Sequence, residues 1–271
     1  MKYRLLAAFP FIFVAAFLAA VSAVTDPGAR TLLVRVVIET VKVLGLAGCI
    51  TAALAFERGD YLRRAWTLNG VCLFLLLVRD LSFAPTIAHH PLFLGVKLDL
   101  LQSALVLAAN VSAIYGTWIL ARAWQVAGIE LPGSPQKRRA VIGGAVVIAL
   151  AITGASVVID IRGVMSREVL SLVGLISDLG DIFALCLIAP VLLTALAMRG
   201  GLLRWPWGLL TASLLSWLLY DAAGTLGHFV SIGEARLEVI AEVFRAFACC
   251  FVAAAGVAQR FTVTSTHMSS P

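Results

Sequence analysis

Acidic side chains recur inside the apolar stretches of this sequence, where each is costly in a bilayer unless it is paired or binds something. Asp80 follows Trp66 by fourteen residues, and Asp221 follows Trp207 by the same interval. Glu39 and Lys42, Asp178 and Asp181, and Glu242 and Arg245 each stand three apart, a spacing that puts both members on one helix face. Opposite charges at that spacing neutralise each other. Two acids cannot, so Asp178 and Asp181 would share a proton or hold a cation between them. Arg79 directly precedes Asp80. The set Glu39, Arg79, Asp80, Asp178, Asp181, Asp221, Glu242 and Arg245 therefore suits binding of a cation, a proton or a small polar solute, with Lys42 as a further counter-charge. A reading that needs no ligand is a set of structural ion pairs fixing helix register, which Glu39–Lys42 and Glu242–Arg245 satisfy.

Metal chemistry is weaker on the same residues. His89, His90 and His228 follow corresponding apolar stretches, and with Asp80, Asp99 and Asp221 they would offer nitrogen and oxygen ligands to zinc or another divalent ion. They lack an HxxxH or HExxH spacing, and solvated loop histidines are the simpler account. No histidine falls deep in an apolar stretch, which argues against bis-histidine haem. A phosphate-binding loop, a dinucleotide fingerprint and a nucleophile elbow are all missing from the sequence, so no catalytic residue is assigned and the cofactor is left open. Cys49, Cys72, Cys186, Cys249 and Cys250 lie within apolar stretches without zinc spacing, as small packing residues do.

The elements that must position these groups are membrane helices. The 271 residues are 61% hydrophobic and 13% charged, with mean hydropathy +0.98, whereas a soluble domain carries about a quarter charged residues. Continuous apolar runs predict eight spans at about 4–24, 31–56, 66–86, 98–123, 140–160, 169–198, 206–227 and 237–259. Runs this long and unalternating exclude a β-barrel. At a rise of about 1.5 Å per residue, Asp80 lies about 21 Å beyond Trp66, in the outer third of the bilayer.

The net charge of +6 does not point to nucleic acid. Lys2, Arg4, Arg58, Arg63, Arg64, Arg122, Lys137, Arg138, Arg139, Arg199, Arg204 and Arg260 fall on one side of the eight-span arrangement. Arg30, Arg35, Lys97, Arg162, Arg167 and Arg236 fall on the other. This bias predicts that both termini are cytoplasmic in a multi-pass protein of the cell membrane. The basic residues then serve topology first and meet anionic headgroups second.

The spacing also predicts an internal repeat. Gly59 precedes Trp66 by seven residues and Gly200 precedes Trp207 by seven, while Lys97-Leu98-Asp99 and Arg236-Leu237-Glu238 open matching runs. The fold expected is all-α, a transmembrane bundle of two parallel four-helix halves. Residues 1–124 form the first half, 125–139 a basic cytoplasmic linker, 140–260 the second half and 261–271 a short tail. Residues 1–23 could be read as a cleaved leader, but the repeat needs them as the first helix. Trp66, Trp205 and Trp207 are expected to double as interfacial anchors, and Pro190 to kink the sixth helix.

Three functions fit this pattern. The first is a carrier that moves or binds a small solute, cation or proton. The second is a membrane sensor or accessory subunit that signals through a cytoplasmic protein partner. The third is an intramembrane hydrolase directed at lipid. The run Leu179-Gly180-Asp181-Ile182 resembles eight-span lysoplasmalogenase-like proteins; the resemblance covers those residues alone and assigns no site.

Overall fold

The computed structural model describes residues 1–82, 92–93, 96–126, 128, 133–166, 169–197, 201–226 and 234–267. Among them are eight long helices: α1 (Lys2–Ala23), α2 (Pro27–Ala53), α3 (Tyr61–Ser82), α4 (Leu98–Ala121), α5 (Pro135–Met165), α6 (Val169–Ala197), α7 (Arg204–Leu226) and α8 (Glu234–His267). A one-turn helix, Ala123–Val126, follows α4. Before α4, Leu92–Phe93 and Val96–Lys97 make a short antiparallel pairing.

Local chemistry marks several helix ends. Asp26 caps α2 by accepting from the Ala29 amide at 2.6 Å, with Pro27 at the first helical position. Ser134 and Pro135 start α5 in the same way. Between α2 and α3 the chain turns through Gly59 at φ 94°, a conformation that favours glycine. Asp60 then accepts from the Leu62 amide at 2.6 Å.

The protein is an all-α, multi-span integral membrane protein. Among the described residues, five helical segments are long and apolar enough to cross a bilayer: Lys2–Ala23, Tyr61–Leu81, Leu100–Ala121, Asp178–Ala197 and Leu237–Thr264. A sixth is α5, if Pro135–Gly154 and Ser156–Met165, bent by 53°, count as one span. Large apolar side chains such as Ile12, Leu32, Val147 and Phe183 point outward, as they do against lipid. The two long helices outside that set carry much of the polar load, with Arg30, Arg35, Glu39 and Lys42 on α2 and Thr211, Ser213, Ser216, Tyr220 and Asp221 on α7.

Six helices close a ring. In order around it come α2, α3, α4, α6, α7 and α8, each packed on the next, and α8 returns to α2. Outside the ring, α1 lies mainly against α8, and α5 lies against α6 and α7. Small residues set the closest crossings, as expected where lipid offers no hydrophobic drive between helices. A Cβ on Gly256 of α8 would run into the backbone of Gly48 on α2, and one on Gly48 would run into Ala253. Gly116 of α4 meets Ala65 and Asn69 of α3 in the same manner.

The bundle has two distinct ends. We call upper the end where α2 and α8 begin and α3 finishes. The lower end is packed solid around Ala65, Trp66, Ile119, Leu120 and Trp207. Trp66 is 2% and Trp207 4% exposed, so both are core side chains and not the interfacial anchors expected from their position. Helix packing draws them inward because α3 and α7 both belong to the ring. Trp205 is the one stacked outward, against Tyr3, with ring centroids 6.0 Å apart.

Two further details depart from expectation. A sharp break lies in α5 between Gly154 and Ser156, where small residues hold the helix weakly. The last helix does not stop near 259 but runs to His267. Of the repeat landmarks, Gly200 lies outside the described residues.

Candidate functional site

A layer of charge crosses the upper part of the ring. Lys42 on α2, 1% exposed, donates to Glu39 Oε1 at 3.0 Å and to Asp80 Oδ2 on α3. Arg79 Nε pairs with the other oxygen of Asp80. The backbone carbonyl of Asp80 accepts from Arg35 Nη2 at 3.1 Å, so α2 grips the end of α3 through both side chain and main chain. Across the ring on α8, Arg245 Nη1 pairs with Glu242 Oε1 at 3.1 Å, and Nη2 donates to the Tyr220 hydroxyl of α7. The Arg245 guanidinium sits 4.5 Å from the Tyr220 ring centroid. The two groups are within electrostatic reach of each other, since Arg245 feels Asp80 and Glu242 feels Lys42.

Two cavities lie on opposite sides of this layer. The upper one, about 400 Å³, lies between α2, α8 and the end of α3. Its charged lining is Arg30, Arg35, Glu39, Asp80, Glu238, Glu242 and Arg245. The central one, about 270 Å³, is lined by all six ring helices. Its charged residues are Lys42, Arg79, Arg245 and Asp221, and its neutral polar ones are Asn69, Asn110, Thr117, Ser213 and Tyr220. Leu73, Leu76, Ile188, Leu214 and Trp217 supply apolar walls. Among the described residues, Arg245 alone lines both spaces.

Neutral hydrogen bonds hold the walls. Ser213 Oγ donates across to the Ala248 carbonyl of α8 at 2.8 Å. Tyr61 Oη ties α3 to the Ile119 carbonyl of α4 at 2.6 Å. Asn69 donates to its own helix, to the Ala65 carbonyl at 2.9 Å. Thr211 and Ser216 do likewise toward the carbonyls four residues back. Glu39 Oε2 and Glu242 Oε2, the second oxygens of two layer acids, are buried without a hydrogen-bond partner among the described residues.

The sequence-derived residues divide into groups. Glu39, Arg79, Asp80, Glu242 and Arg245 come together in the layer, and Asp221 lines the central cavity. Asp178 stands apart, toward α5, where Ser156 hydrogen-bonds to it and Asp160 is its charged neighbour. The Asp181 side chain lies outside the described residues, as do His89, His90 and His228. No group of three metal-ligating side chains occurs among the described residues. The five cysteines are unbridged, and only Cys72 lines the central cavity.

Sequence reasoning passed over Asn69, Asn110, Thr117 and Trp217. The two asparagines had a signal, since an amide inside an apolar run needs a partner there. Nothing in the spacing tied either to a cavity. Chemically, the site offers buried cations, neutral amides and hydroxyls, and an aromatic wall. It can bind a small polar or amphipathic molecule.

Comparison with known proteins finds no match: no family model, no curated protein and no solved structure is similar to this chain.

Proposed function

We propose that this membrane protein binds a small solute in its central cavity and moves it across the bilayer, with the ion-pair layer closing the cavity toward the outer face. The observation carrying this reading is the space of about 270 Å³ among six helices, set off from a second pocket by paired charges. Charges at membrane depth that line a cavity on one side and pair on the other are the usual furniture of a solute or proton path. Of the residues proposed to bind, Arg79, Asp221 and Arg245 face the cavity, while Glu39, Asp80 and Glu242 complete the layer. Asp178 and Asp181 on α6 are proposed as a separate proton- or cation-exchanging pair.

In this reading all eight helices cross the bilayer, both termini are cytoplasmic, and the upper end faces out. Two four-helix halves, α1–α4 and α5–α8, are related about an axis along the membrane normal. The ring order supports this, because the last three helices of each half follow one another and a half-turn would carry α2, α3 and α4 onto α6, α7 and α8. The central cavity would lie on that axis.

The solid lower end favours a second reading, in which the cavity binds a ligand without passing it and the cytoplasmic turns contact a partner. Reconstitution into vesicles separates the two. A carrier gives solute-dependent flux that Asp221→Asn reduces while membrane insertion is unchanged. Full activity in that variant, and in Asp181→Asn, would remove the acids from the mechanism. Binding without flux in the native protein would select the sensor.

A further inference from the structure

The charges over the central cavity already answer one another. Lys42 is paired with Glu39 and Asp80, Arg79 with Asp80, and Arg245 with Glu242. Asp221 shares the cavity lining with these bases and has an interaction of its own. With Arg35, held on the Asp80 carbonyl, four bases stand against four carboxylates. A charged ligand would have to enter uncompensated or split a pair, and either is costly away from water. The neutral polar groups lie deeper. Along α3 the lining runs from Arg79 through Leu76 and Leu73 to Asn69, ten residues or about 15 Å further down. The Asn69 amide lies close against Gly116 of α4, which puts Thr117, another lining residue, at the same depth. On the α7 wall, Ser213 has spent its one proton on the Ala248 carbonyl at 2.8 Å, so it can meet a ligand only as an acceptor. Asn69, which donates to the Ala65 carbonyl at 2.9 Å, adds the two lone pairs of its own carbonyl oxygen.

We infer that the central cavity takes a small uncharged amphipathic molecule of the alcohol class. Its hydroxyl donates to Asn69 and Ser213, and its apolar body lies against Leu76, Leu214 and Trp217. This rests on the central cavity being a binding site, as proposed above, and adds the class of ligand. The ion-pair layer then acts as a roof whose pairs stay intact while the ligand is bound. An anion is disfavoured because each base of the lining is already on a carboxylate. A cation is disfavoured because it would meet three bases with Asp221 alone to offset them. A hydrocarbon would offer the oxygens of Asn69 and Ser213 no donor, and an ether would set an acceptor against acceptors.

The test uses the full chain, purified in detergent, and follows thermal unfolding with four probes of similar size: 1-hexanol, its isomer 1-methoxypentane, hexanoate and hexylammonium. Shifts are read against Leu214→Trp, which fills the cavity and so cancels any effect of a probe on the micelle. The alcohol is expected to raise the native midpoint several degrees above that reference, and the other three to leave it unchanged. Asn69→Leu, close in shape but without the carbonyl, is expected to weaken 1-hexanol about tenfold and to erase its advantage over the ether. If hexanoate or hexylammonium stabilises as well as the alcohol, and Leu214→Trp removes that effect, the uncharged class is overturned while the binding site stands. If the ether does so, or Asn69→Leu keeps the preference for the alcohol, the seat given to the hydroxyl is overturned. If no probe acts, or Leu214→Trp responds as the native protein does, the cavity is not the site and both readings fall. Should Leu214→Trp fail to fold, the alcohol and ether are compared on the native protein and on Asn69→Leu. A difference that Asn69→Leu erases then supports the inference, and any other result overturns it.

Discussion

Lys42 is the most enclosed charge in the layer, and two carboxylates from different helices depend on it. Removing Asp80 takes one of two acids from a cluster of two acids and two bases, and breaking a buried ion pair costs about 3–5 kcal/mol. Asp80→Leu should therefore lower stability by that order, measured by thermal or denaturant unfolding in micelles. The double variant Lys42→Met/Asp80→Leu should recover part of the loss, because it leaves one acid and one base, Glu39 and Arg79, in place of one acid against two bases. A double variant no more stable than Asp80→Leu would show that the pair does not act as a unit. In the sequence, Glu39–Lys42 and Glu242–Arg245 were legible, because helical spacing alone puts them on one face. Lys42–Asp80 was not, since its members are 38 positions apart on different helices and only ring closure brings them together.

At the level of helices, length and apolarity placed the bundle, whereas its contacts had to come from small residues scattered among many. Sixty-one percent apolar composition supplies no contrast from which to read which face of a helix meets which neighbour. Hence the α2–α8 crossing through Gly48 and Gly256 was invisible, and so was the turn of Trp66 and Trp207 into the core. Gly256→Leu should drive α8 off α2 and destabilise the fold by at least about 1–3 kcal/mol, the usual effect of overpacking. It should also disturb the charge layer, since α2 and α8 carry both of its halves. Gly59→Ala touches no neighbour, and its cost should be limited to about 1 kcal/mol from the positive φ. Comparing the two unfolding midpoints checks whether helix crossing or turn conformation matters more.

For the molecule as a whole, the bias of basic residues and the two cavities make one account of sidedness. An impermeant thiol reagent should label Gln125→Cys only after cells are opened and Glu238→Cys in intact cells; the reverse pattern would invert the orientation. The central claim is that the space among the six ring helices admits solute past the ion-pair layer. Cys72 reports on it directly, since it lines that space while Cys49, Cys249 and Cys250 are buried in packed core. The decisive measurement is the rate at which 2-sulfonatoethyl methanethiosulfonate modifies Cys72 in proteoliposomes, read by peptide mass spectrometry. The account predicts modification of Cys72 in the native protein, acceleration when Asp80→Asn loosens the layer, and suppression in Leu214→Trp. Absence of modification in both the native protein and Asp80→Asn, or an equal rate in Leu214→Trp, would contradict it.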